Sequence, residues 1–168
     1  MLSTPTINED VSMLKRVAFL MAITVTFITV LSTVEAQDEK PNLGLLMWSA
    51  FVCSNYAEMF GDIQEQKRLF DIGYDAGTKF LVGIKNKTIP DAEASRAPWV
   101  VLMGLGGPTN DFVIGRIFEA AAEDAHDKVV KTDKNGLPIL DPSDWISDKL
   151  KVQKADNKYR SSNCALIR

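Results

Sequence analysis

Three stretches of this chain repeat their apolar side chains every three or four residues. That spacing lines one face of an α-helix. Residues 45–60 put Leu45, Trp48, Val52, Cys53, Tyr56, Met59 and Phe60 on one broad face, with Ser54, Asn55 and Glu58 opposite. Residues 62–84 carry a stripe of Leu69, Phe70, Ile72, Gly73, Ala76, Gly77, Phe80 and Ile84, with Gln64, Arg68, Asp71, Asp75 and Lys79 on the wet side. Residues 111–131 bury Ile114, Ile117, Phe118, Ala121, Ala122, Ala125 and Val129, and turn Arg116, Glu119, Glu123 and Asp127 outward. The short apolar run 98–105 has no second strand to pair with, so it reads as a short helix. The fold class expected is all-α: a small single-domain bundle of about four helices.

Punctuation supports these elements. Gly61 is a helix terminator of the usual kind. Asp62 caps the next helix, with Glu65 as its capping-box partner. The stretch 106–111 (GGPTND) is a turn ahead of the third long helix. Asp141 and Pro142 open a fourth helix, which ends near Lys154 and docks through Trp145, Ile146 and Leu150. Gly73 and Gly77 sit mid-stripe, where glycine costs about 1 kcal/mol relative to alanine. They imply close approach by the first helix, through Trp48 and Tyr56.

The part that folds is bounded upstream. Lys15 and Arg16 precede an apolar run from Val17 to Leu31, and small residues follow at Val34 and Ala36. This is the layout of a secretory signal peptide. The run holds 15 residues, short of the roughly 20 that a membrane span needs. The expectation is an N-terminal extension and signal peptide over residues 1–36, with cleavage after Ala36. An exported domain then covers residues 37–168. An uncleaved anchor over residues 17–34 is the alternative. Glu9 and Asp10 are out of place ahead of a signal core, so Met13 reads as a second candidate start.

Export gives the two cysteines a meaning. Cys53 lies on the core face of the first helix, and Cys164 lies in an apolar patch at the end of a polar tail. An even count in an oxidising compartment predicts one disulfide, Cys53–Cys164. It would pin Ala165, Leu166 and Ile167 against the first helix. No C-x-x-C-H haem motif occurs.

Chemistry is sparse. Glu119, Glu123 and His126 follow i, i+4, i+7 spacing, and Glu123-x-x-His126 has the form of half a di-iron carboxylate motif. The chain has one histidine, so it cannot complete that site alone. The residues read first as a solvated helix face, with Arg116 pairing to Glu119 or Glu123. Gly104, Gly106 and Gly107 precede a helix start that could hold an anion, but no P-loop lysine follows and Asp111 stands at the mouth. Asp71 and Asp75 share a helix face, where two exposed carboxylates lack the unlike environments that glycoside hydrolysis requires. No nucleophile elbow is present.

The mature domain carries a net charge near −2, which gives nucleic acid no basic surface. The reading that follows is an exported helical binding module, periplasmic or secreted. It would be non-enzymatic and without metal or cofactor, with another protein of the cell envelope as partner. Inhibitors, immunity proteins and chaperones share this size and class. Membrane contact would come only through an uncleaved signal segment. Two alternatives stand beside it. One is a small envelope hydrolase or metal-binding protein using Glu119, Glu123 and His126. The other is a signal-anchored subunit of a membrane complex.

Overall fold

The computed structural model describes residues 42–168, which belong to one compact unit. The expectations for residues 1–36, including the signal peptide, the Met13 start and the anchor over 17–34, lie outside the described residues. Six α-helices follow in order: α1 Leu43–Phe60, α2 Ile63–Lys85, α3 Asp91–Ala94, α4 Trp99–Met103, α5 Asn110–Val130 and α6 Asp148–Ser161. Short 3-10 turns stand at Pro142–Asp144 and Cys164–Leu166. The described residues form no strand, only an isolated antiparallel bridge between Thr132 and Pro138. The all-α expectation holds. Among the described residues the count is six and not four, because α3 and α4 are separate short helices in the α2–α5 connection.

Helix α1 is the centre of the fold, and α2, α5, α6 and the C-terminal turn all pack on it. Asn42 caps it by accepting the Leu45 N–H at 2.9 Å. Its Nδ2 also donates to the Glu93 carbonyl at 2.8 Å, which ties α3 to the start of α1. Gly61 ends the helix at φ +90°, with its N–H on the Ala57 and Glu58 carbonyls. Every residue from Phe51 to Ala57 is buried. This overturns the expected wet face at Ser54 and Asn55. A helix covered on several sides shows little one-sided periodicity, and its polar residues must find partners inside. Ser54 Oγ donates to the Gln66 carbonyl at 2.8 Å, and Asn55 Nδ2 donates to the Phe51 carbonyl at 2.8 Å. Leu45, expected in the core, is 49% exposed instead.

Helix α2 lies against α1 through Gly73 and Gly77, as expected, but different side chains fill the contact. A Cβ at Gly73 would fall 2.6 Å from the Phe51 ring, and one at Gly77 would fall 2.7 Å from Met47 Sδ. Trp48 and Tyr56 are not the partners. Phe51 is held edge-on by Phe118 at 5.3 Å and lies 5.7 Å from Phe70, whose ring is edge-on to Phe118 at 5.2 Å. The capping box is half formed. Asp62 accepts the Glu65 N–H at 3.0 Å, while the Glu65 carboxylate turns to Arg68 and Tyr159. Helix α5 keeps the expected inward stripe, and Thr109 caps it by accepting the Phe112 N–H at 3.1 Å.

The last third departs most from expectation. Asp141 and Pro142 begin only a 3-10 turn. Trp145 is extended, with Nε1 donating to the Ile139 carbonyl at 3.3 Å and Lys131 5.1 Å above its ring. Helix α6 therefore starts six residues later, after Ser147, and runs on to Ser161. Leu150 does not dock and is 56% exposed. Only Ala155 of α6 is buried.

The disulfide forms as expected. Cys53 and Cys164 are bridged, with Cα atoms 5.6 Å apart. The tail is pinned less widely than expected. Ile167 packs on the core, and its carbonyl accepts a hydrogen bond from Arg68 Nη1 at 2.7 Å. Ala165 and Leu166 stay exposed.

Candidate functional site

Helix α5 carries the carboxylate and histidine candidates on its outer face. Glu119 and Glu123 are exposed, and His126 is partly exposed with Nδ1 3.6 Å from Asp127 Oδ1. Asp127 is engaged by Lys131 at 2.6 Å, and this contact is the main reason its carboxyl is held below the ordinary aspartate range. Among the described residues, no three histidine, cysteine, aspartate or glutamate side chains are grouped to hold a metal ion. Arg116 does not pair with either glutamate. It donates to the Gly106 carbonyl at 2.8 Å and lies 5.9 Å from the Phe112 ring.

The glycine turn and the aspartate pair are likewise occupied. The Asp111 carboxylate accepts the Tyr74 hydroxyl at 2.7 Å. Arg116 braces the turn from outside through Gly106. Asp71 is paired with Lys67 at 2.5 Å, and Asp75 with Lys79 at 2.6 Å, both on the solvent side of α2. These are i, i+4 surface pairs, each contributing a few tenths of a kcal/mol.

A different surface emerges along α6. Leu150, Gln153, Lys154, Asn157, Lys158 and Ser161 follow helical spacing and form one stripe. Asp133, Lys134, Gly136 and Ile146 face it across a shallow groove. From Leu150 to Ser161 is eleven residues, so at 1.5 Å per residue the groove runs for about 16 Å.

The facing loop is built, not slack. The Asp133 N–H donates to the Leu137 carbonyl at 2.8 Å, and the Ile139 N–H to the Lys131 carbonyl at 2.8 Å. The Asp133 carboxylate accepts the backbone N–H groups of Asn135 and Leu137, each at 2.8 Å. Those bonds, the one from Leu137 foremost, hold its pKa below the ordinary value. Lys154 crosses from α6 to the loop, donating to the Thr132 carbonyl and to Thr132 Oγ1. Burial first, and then the neighbouring Lys158, pull the Lys154 pKa down, while Asp133 opposes them.

Charge is divided along the chain. Residues 128–168 hold nine lysines and arginines against five acidic residues, a net +4. Residues 42–127 hold seven against twelve, a net −5. In the basic part, Lys128, Lys131 and Arg160 are paired with Asp124, Asp127 and Asp156. Among the described residues, Lys134 and Lys158 form no ion pair. Averaging charge over the whole domain hid this split. Counting it by segment was the signal that could have found it.

Large apolar side chains stand out at two further places. Trp99 is 73% exposed and Met103, one turn on, 63%, and the isolated Leu166, Ile63 and Leu137 are exposed to a similar degree. In the loop before α6, Leu140 is 92% exposed. Among the described residues, no helix is long and apolar enough to cross a membrane. Comparison with protein-family models, with curated proteins and with solved structures finds no match for this chain.

Proposed function

We propose that the chain is an exported helical module, periplasmic or secreted, that works by binding another protein of the cell envelope and not by catalysis. It would act in the manner of an inhibitor, an immunity protein or a chaperone. The observation that carries this reading is the exposure of Trp99 and Met103 on one short helix, and of Leu140 on a braced loop. Aromatic residues and methionine are enriched where proteins meet, and a few such anchors supply most of the binding energy. The elements that carry them are tied down. Val101 anchors α4 in the core, and Trp145 and Lys131 brace the loop of Leu140. The disulfide is compatible with an oxidising compartment.

Site-specific photo-crosslinking in the native cell tests the reading. A benzophenone side chain at Trp99 or Leu140 of the full chain should give a discrete protein adduct. The same group at Lys79, on the solvent face of α2, should not. Adducts at neither Trp99 nor Leu140, or equal labelling at Lys79, would sink the proposal.

A further inference from the structure

We infer that the groove between α6 and the 133–136 loop is a docking site for an acidic, extended peptide segment of the partner protein, one that carries an aliphatic side chain among its carboxylates. The inference rests on the protein-binding reading and names the chemistry of one contact within it.

Three observations converge on that occupant. The first is shape. A groove of about 16 Å takes roughly five residues of extended chain at about 3.3 Å each. The second is charge. Lys134 stands on one wall and Lys154 and Lys158 on the other, in the C-terminal segment with net +4. Lys134 and Lys158, like Lys149, Lys151 and Arg168 outside the groove, have no ion-pair partner among the described residues, whereas Lys128, Lys131 and Arg160 have one. Lys154 sits partly desolvated beside a like charge, with its pKa lowered for that reason. A carboxylate arriving between Lys154 and Lys158 would relieve that repulsion. Asp133 is the one carboxylate on the lining, and two backbone N–H groups already engage it.

The third observation is composition. One end of the groove is lined by Ile146 and Leu150, and the other by Lys134, Lys154 and Lys158. Lys134, Lys154 and Asn157 line both ends, and the Lys154 side chain, tied to Thr132, lies between them as the floor. A purely ionic ligand such as a polyphosphate would leave the apolar end unused. A flat anionic membrane would not enter a groove walled by a helix and a loop. An extended strand with an aliphatic side chain at one end and carboxylates along the rest fits both ends, because about 3.3 Å per residue spreads its side chains along the groove.

The test is fluorescence anisotropy with the full chain and a fluorescein-labelled six-residue peptide with leucine at one end and glutamate along the rest. Saturable binding is expected at low salt, weakening as salt screens the exposed charges. Lys134→Glu with Lys158→Glu should weaken binding by about tenfold or more, since the reversed charges would repel the carboxylates they face. Leu150→Ser should weaken it by several-fold, and a glutamate–serine peptide should bind as poorly. All three positions are at least partly exposed, and a thermal melt of each variant confirms that the fold is kept.

The inference is overturned if the lysine reversals leave peptide binding unchanged, if the glutamate–serine peptide binds equally well, or if no binding saturates. Tighter binding to phosphatidylglycerol–phosphatidylcholine vesicles, abolished by the same reversals, would assign the groove to a membrane surface instead. Crosslinks at Trp99 or Leu140 with no peptide binding would leave the protein-binding reading standing and remove only this groove.

Discussion

Two mid-helix glycines allow one packing contact to be weighed against an internal control. Gly73 lies on α2 and Gly115 on α5. Alanine at either gains about 1 kcal/mol of helix propensity. At Gly115 the new methyl meets nothing within 4 Å, so that gain should appear whole. At Gly73 the methyl would lie 2.6 Å from Cδ1 and Cε1 of Phe51, about 1 Å inside the favourable range for carbon atoms. Phe51 is fully buried and wedged between Phe70 and Phe118, so its ring cannot swing aside. Helix α2 must then shift away from α1, at a cost of ~1–3 kcal/mol. The propensity gain is common to both variants and cancels. Gly115→Ala should therefore exceed Gly73→Ala in stability by ~1–3 kcal/mol. For a domain of this size that is a separation of roughly 3–15 °C in Tm. Thermal and urea unfolding of both variants measure it. Equal stabilisation by the two alanines would falsify the claim that Phe51 sets the α1–α2 distance.

Three further changes should be felt at single sites. Replacing Cys53 and Cys164 together by alanine opens a loop with a sequence separation of 111, for which the chain-entropy account gives at most about 5 kcal/mol. Urea unfolding should show most of that loss, and an unchanged midpoint would refute it. Glu65 is held below its ordinary pKa, first by its hydrogen bond from Arg68. Its contribution is complete above the unfolded glutamate value of about 4.3 and is lost as pH falls through the lower folded value. Glu65→Gln should therefore cost ~1–2 kcal/mol at neutral pH, a gap that closes in acid; a gap independent of pH would contradict the assignment. The Tyr56 phenol is pushed up to about 12, by burial first and by Asp124 second. A raised folded value means stability is intact below the unfolded tyrosine value of about 10 and lost as pH rises toward 12. Tyr56→Phe should flatten the alkaline fall in Tm, and an identical fall in both proteins would count against a buried neutral phenol.

The parts of the fold that were legible in the sequence are those with one wet face. The stripes on α2 and α5 could be read because Asp71, Asp75, Lys79, Glu119 and Glu123 mark the solvent side. Helix α1 could not be read the same way. Ser54 and Asn55 look like a wet face, yet hydrogen bonds to the Gln66 and Phe51 carbonyls let them sit in the core. The bridge was legible from Cys53 on a core face and Cys164 in an apolar tail. The start of α6 was not, because the capping letters at Asp141 and Pro142 were overridden by Trp145, which bonds back to Ile139. The groove was hidden for another reason. Its walls come from residues 133–136, 146 and 150–161, and only the reversal of the chain at the Thr132–Pro138 bridge brings them face to face.

That reversal bears on why α6 can present charge at all. With Ala155 alone buried, α6 has too little apolar area to dock by the hydrophobic effect, which contributes roughly 25 cal/mol per Å². Other ties hold it. The bridge fixes the turn just beyond its end to α1. Tyr159 donates to the Glu65 carboxylate that Arg68 grips from the other side, and its ring lies edge-on to Phe60 at 5.3 Å. Lys154 reaches over to the 132 loop. These ties spare α6 the broad apolar stripe that a docked surface helix normally needs. Positions that such a stripe would occupy are instead lysine, asparagine and glutamine. A helix held by a covalent bond and a few polar ties can keep its outer face for something else, and on α6 that face is the basic wall of the groove.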